Sequence, residues 1–182
     1  MANEVLQKTG TALVWAGGTL SSGTGFTKTS GNDLTLASLA DNNARQGVKD
    51  DLGATRAAQY AVYLGVEFGT GPAVGAQVEV FWSASPSATA GTGNTGGCTG
   101  ADAAYFSAAE AELDEHKAGL LYLGSLYATA DGNGSFQRQM IGWFRPPERY
   151  GMPVVVNKSA QSLHSDTDEH YVAIVPIIDE IQ

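Results

Sequence analysis

The feature that most constrains this chain is period-two alternation of apolar and polar residues, cut into short runs by Gly, Pro, Asn and Asp. In residues 59–68, QYAVYLGVEF, the side chains of Tyr60, Val62, Leu64, Val66 and Phe68 fall on one face. In residues 77–83, QVEVFWS, Val78, Val80 and Trp82 point one way and Gln77 and Glu79 the other. This spacing fits a strand, whose side chains alternate between two faces, and does not fit a helical stripe. Six further segments qualify: residues 11–15, 33–40, 119–129, 135–145, 153–157 and 170–178. Residues 33–40 place Leu34, Leu36 and Ser38 together. Residues 119–129 are apolar on both faces, as a covered central strand would be, and the turn residues 130–134, ADGNG, predict a hairpin from there into 135–145. Pro176 predicts a sheet edge or a bulge in the last strand. One helix is predicted over residues 107–117, where Ser107 and Glu110 form a capping-box pattern. It does not repeat between strands, so βαβ winding is not expected. The predicted fold is all-β: a single-domain antiparallel β-sandwich over residues 1–182, jelly-roll-like in its eight strands, with one short helix.

Composition adds to this reading at the loops. The chain has 182 residues, enough to bury a core without a metal or disulfide staple. Only 16% of residues are charged and 23 are glycine. Residues 17–31 and 83–100 are rich in Gly, Ser and Thr and nearly free of charge, and both are long for structureless connections. With no charge to keep them solvated, they predict contact with another subunit. Residues 1–10 predict an arm that reaches a neighbour. Ten basic against 19 acidic residues give a net charge of −9, and no Lys/Arg run could neutralise a phosphate backbone or an anionic membrane surface. Nucleic-acid and membrane partners are therefore not expected. The start, MANEVLQKTG, lacks a basic segment followed by an apolar one, which predicts a cytoplasmic product that is not exported. Cys98 is the one cysteine and reads as a loop thiol.

Motifs with chemical potential are few. Gly91, Gly93 and Gly96 match GxGxxG, but Pro86 precedes them and no helix is predicted after them, so a flexible loop is the better reading. Residues 131–135, DGNGS, begin like a calcium loop but lack the glycine and glutamate that such a loop needs further on. Residues 164–170 bring together His164, Asp166, Asp168, Glu169 and His170; His164, Asp166, Asp168 and His170 are candidate metal ligands, although their spacing matches no compact metal motif. Asp50, Asp51 and the acidic residues along the predicted helix read as solvated faces. There is no GxSxG elbow, and no catalytic residue or cofactor is assigned. Trp15, Trp82 and Trp143 sit among apolar neighbours and are expected in the core.

Several stretches carry a resemblance. They are MANEVLQKTGTALVW at the start, ARQGVKDDLGATRA at residues 44–57, SPSATAGTGNTGG at 85–97, RYGMPVVVN at 149–157 and IIDEIQ at 177–182. In this order they resemble a family of small virion structural proteins of tailed bacteriophages, similar in role to capsid decoration or cement proteins. The resemblance implies a subunit that binds the outer surface of the major capsid protein lattice and associates with itself, with a trimer favoured. It implies synthesis in the bacterial host cytoplasm, residence in the virion, and neither cofactor nor active site. On that reading Arg45, Lys49 and Arg56, the densest basic stretch, are candidates for ion pairs across an interface. Arg149 and Tyr150 follow two prolines on a stiff connection and are residue types enriched at interface hot spots. A glycan-binding module for host attachment, and a head–tail or tail subunit, are the alternatives.

Overall fold

The computed structural model describes residues 5–105, 110–129 and 134–181. Its strands are β1 (Val5–Thr9), β2 (Leu13–Ala16), β3 (Ala44–Gln46), β4 (Asp50–Asp51), β5 (Gln59–Glu67), β6 (Gln77–Ser85), β7 (Ala103–Ala104), β8 (Leu121–Tyr127), β9 (Phe136–Phe144), β10 (Tyr150–Lys158) and β11 (Tyr171–Ile181). One helix, α1 (Glu110–Lys117), lies between β7 and β8. The proposed capping serine and the turn at residues 130–133 lie outside the described residues.

The strands form two antiparallel sheets, ordered β1-β11-β5-β9 and β7-β3-β10-β6-β8, with β2 also on β11 and β4 also on β10. β1 and β2 run end to end along β11, and β3 and β4 end to end along β10. Taking each such pair as one strand and setting aside the two-residue β7 leaves eight strands. The first pairs with the last, the second with the seventh, the third with the sixth and the fourth with the fifth. That is one long hairpin rolled into two facing sheets, the jelly roll expected from the sequence.

Two prolines sit inside central strands, and the same device accommodates both. An antiparallel residue turns its N–H and C=O toward the same neighbour. The Pro176 carbonyl accepts from Gly10 N–H, in the gap between β1 and β2, at 2.9 Å. The Pro153 carbonyl accepts from Gly47 N–H, in the gap between β3 and β4, at 2.9 Å. Each proline therefore faces a break in the adjacent strand, where its missing N–H costs no ladder bond. Pro176 marks neither an edge nor a bulge of its own strand.

The space between the sheets is filled by Trp15, Leu64, Phe68, Val80, Trp82, Val155, Val172 and Ile174, all buried. Leu34 and Leu36 join them, but residues 33–40 are not a strand. Ser38 adopts φ 56°, which breaks an extended run, and the segment is a loop that buries two leucines in the core between the sheets.

The long neutral loops also depart from expectation. Phe26 and Leu20 from residues 17–31 pack on the outer face of the first sheet over Val14, Ala16, Tyr171 and Ala173. Cys98, with Tyr105, Leu113 and Leu120, covers Phe81, Met152, Val154 and Val156 on the outer face of the second sheet. Each loop thus places apolar side chains on its own sheet, while residues 86–97 stay exposed or half-buried. Within the literal GxGxxG run, Gly96 gives its carbonyl to the Tyr105 hydroxyl at 2.6 Å. Residues 5–9 are likewise a strand paired with the tail of β11 and not a free arm.

β8 and β9 do not form a hairpin ladder with each other. β8 pairs with β6 and β9 with β5, so consecutive strands edge opposite sheets. Both strands bulge, at Leu123 and at Ile141, and there the two backbones come together. A Cβ at Gly124 would collide with the Ile141 carbonyl, and one at Gly142 with the Leu123 carbonyl. Gly124 also holds φ 149°, a region that favours glycine. Gly124→Ala is expected to cost roughly 2–4 kcal/mol through strain and overpacking. Gly23→Ala, with open space around it, stays within about 0.5 kcal/mol. Urea unfolding of both variants checks this contrast.

Candidate functional site

The end of β5 and the turn before β11 meet in a group of ionisable side chains. His164 Nδ1 lies 3.3 Å from Glu67 Oε2 and 2.8 Å from Asp166 Oδ2. One ligand atom from each of these three residues falls within 4.8 Å of the others. Glu67 is only 7% exposed, and Asp166 Oδ1 is shut off from solvent with no hydrogen-bond partner. Burial pushes the Glu67 carboxyl above the ordinary range; the Asp166 carboxylate pushes the same way and His164 opposes it. Glu169 is raised for like reasons, by burial and then by Asp168 and Asp166.

The backbone around this group is fixed by His170. Its Nδ1 accepts from Glu67 N–H at 3.2 Å, so the ring proton sits on Nε2, which donates to the His164 carbonyl 3.1 Å away. His164 N–H in turn donates to the Glu67 carbonyl at 2.9 Å. Of the four candidate ligands read from the sequence, His164 and Asp166 converge and the other two do not. His170 is fully buried with both ring nitrogens engaged by backbone, and burial holds its pKa below the ordinary value. Asp168 gives its main-chain carbonyl to Ser21 N–H and stands outside the group. Spacing along the chain cannot reveal Glu67, which arrives from a distant strand. Its one signal is that it is the sole charged residue in QYAVYLGVEF.

The basic interface candidates are mostly engaged within the chain. Arg45 Nε donates to Asp102 at 2.6 Å, and Asp102 also accepts from the Thr35 hydroxyl at 2.6 Å and the Thr35 N–H at 3.1 Å. Lys49 Nζ faces the Ser85 hydroxyl and the carbonyls of Ser87, Thr89 and Thr92 at 2.6–3.0 Å. Its three protons are thereby saturated, and the ammonium ties the neutral loop to the sheet. Arg149 grips Asp51 with two hydrogen bonds, at 2.7 and 2.6 Å, and lies 5.1 Å from the Tyr150 ring centre. The Arg149 contact holds the Asp51 carboxyl below its ordinary value. Arg56 forms no salt bridge among the described residues and borders a cavity of about 460 Å³ with Leu52, Tyr60 and Ile178.

Asp102 gives a pH prediction. Burial raises its pKa, but the Arg45 and Thr35 bonds outweigh that, leaving it below 3.8. A carboxyl depressed in the folded state contributes stability above its unfolded pKa, and this is lost as pH falls through the folded value. Asp102→Asn is expected to cost about 1–3 kcal/mol near neutrality. The gap from the parent shrinks below the ordinary aspartate value of 3.8, measured by urea unfolding at both pH values.

The two edge strands β8 and β9 expose large apolar side chains, Tyr122 beside Phe81 on the outer face of the second sheet and Met140 beside Phe26 and Tyr63 over the first. Leu121, Tyr122 and Tyr127 stand out from β8, and Met140 and Trp143 from β9. Trp143 is 65% exposed, against the expectation of a core residue, because the bulge at Ile141 leaves it outside while Phe144 turns in toward Trp82. The β8 backbone beneath is capped by amides from β9. The Gln139 amide pairs with both the N–H and C=O of Tyr127, and the Gln137 amide with both of Thr129. These side chains occupy backbone groups that an added strand would use, so the edge strands present rings and methyls for contact.

Cavities of about 470, 460 and 250 Å³ open elsewhere, and none of the three is lined by Glu67, His164 or Asp166. Among the described residues no helix is long and apolar enough to cross a membrane. Comparison with protein-family models, with curated proteins and with solved structures found no match.

Proposed function

We propose that this chain is a structural subunit of a tailed-phage virion that docks on the outer surface of the capsid lattice and stiffens it, without catalysis. The observation that carries this reading is the set of large apolar side chains left exposed on the adjacent edge strands β8 and β9. The β8 backbone edge is capped from within, while Tyr122, Tyr127, Met140 and Trp143 remain in solvent. Tyr and Trp so placed are the residues that dominate interface energetics once desolvated. The resemblance carried by the ordered stretches of sequence implies the partner: the major capsid protein, with further contacts between copies of the chain itself. The net charge of −9 keeps free subunits apart in the host cytoplasm before they assemble.

The test is co-sedimentation of purified chain with expanded shells that lack it. Saturable binding at a fixed ratio to the major capsid protein is expected. Absence of binding to expanded shells sinks the reading. The same rings favour a second reading, stacking on sugars during host attachment. A glycan array with hits that disappear in Trp143→Ala, together with failed shell binding, would select it.

A further inference from the structure

We infer that Glu67, His164 and Asp166 form a binding site for one divalent transition cation of the zinc class, joining the end of β5 to the turn that precedes β11. The inference is independent of the capsid reading and asks for no catalysis. Three observations carry it. The donor atoms converge with suitable spacing: ligands roughly 2.0–2.1 Å from a tetrahedral ion stand about 3.3 Å apart, and His164 Nδ1 is 3.3 Å from Glu67 Oε2 and 2.8 Å from Asp166 Oδ2. The Asp166 side chain is 42% exposed, but its Oδ1 is inaccessible to solvent and meets no N–H donor. A buried carboxylate oxygen in that state is costly unless a cation meets it. The ligands are also held in place beforehand. His170 accepts from Glu67 N–H and donates to the His164 carbonyl, and His164 N–H closes back onto Glu67, so both ligand backbones are locked before any ion arrives.

The donor set selects the ion. One imidazole and two carboxylates suit zinc and its neighbours, whereas calcium and magnesium prefer oxygen donors throughout. Three protein ligands leave a fourth position for water.

The experiment uses the full chain, loaded by dialysis against zinc chloride, desalted, and measured for metal content and for thermal unfolding with and without free zinc. One zinc per chain and a raised Tm are expected. His164→Gln lowers zinc affinity by more than the roughly 10–100-fold that loss of an outer-shell partner costs, and Asp166→Asn does likewise. Both residues are partly exposed, so these variants fold even where Glu67→Gln does not. His116→Gln, on α1, leaves binding unchanged. Three results would overturn the site: folded chain that retains no zinc, zinc binding that survives His164→Gln combined with Asp166→Asn, or stabilisation by calcium equal to that by zinc.

Discussion

Truncating Trp82 to alanine is expected to lower stability by about 3–5 kcal/mol, with Tm falling on the order of 10 °C for a chain of this size. Trp82 is fully buried between the sheets. Its indole meets Trp15 edge-on with ring centres 5.7 Å apart, lies 5.2 Å from Phe144, and covers Gly151, where a Cβ would collide with it. Removing it opens a cavity that three rigid neighbours cannot fill. The two buried tryptophans differ in their polar ends. Trp15 Nε1 donates to the Val48 carbonyl at 2.7 Å, whereas Trp82 Nε1 has no acceptor. Trp15→Phe therefore orphans a carbonyl, while Trp82→Phe removes an N–H that was already unpaired. Calorimetric unfolding should show Trp15→Phe as the costlier of the two ring-preserving changes.

Trp143→Ala behaves in the opposite way. The side chain is 65% exposed, so its loss leaves unfolding within about 0.5 kcal/mol of the parent. Under the proposed docking the same change removes a contact ring, and hot-spot truncations of this type cost at least about 2 kcal/mol, or roughly 30-fold in affinity. Leu6 supplies the control, being 43% exposed on β1, at the opposite edge of the first sheet from β9; Leu6→Ala leaves shell binding unchanged. Titration of shells with each variant reads out the difference.

Strands whose one face enters the core were legible in the chain. Tyr60, Val62, Leu64 and Val66, and likewise Val78, Val80 and Trp82, alternate because the sandwich buries one face of β5 and β6 against the other sheet. Seven of the eight jelly-roll strands carry such runs, whereas β3 and β4 are too short to show one, and the order of pairing is not written in the runs. Leu34 and Leu36 mimic the same pattern from a loop, since any segment that drops every second residue into a core shows period two. The β8–β9 hairpin was misplaced because turn residues report a reversal and not which sheet receives the next strand. The apolar outer positions of β8 gave the wrong burial for a related reason: Tyr122 and Tyr127 have the composition of a covered strand but lie at an edge. Two of the three residues in the ionisable cluster, His164 and Asp166, were visible as a run in the sequence. Glu67 was not, because its contribution depends on the sandwich bringing the end of β5 beside that turn. Arg45, Lys49 and Arg149 read as free charges in sequence, and only tertiary structure shows that Asp102, the loop carbonyls and Asp51 already hold them.

The number of copies per particle tests the docking claim most directly. Quantitative mass spectrometry of purified virions, with the major capsid protein as internal standard, gives that ratio without reconstitution. Docking across the lattice predicts a fixed stoichiometry in proportion to the major capsid protein, reached again when purified chain is added back to shells that lack it. A handful of copies per particle, or none, would contradict it.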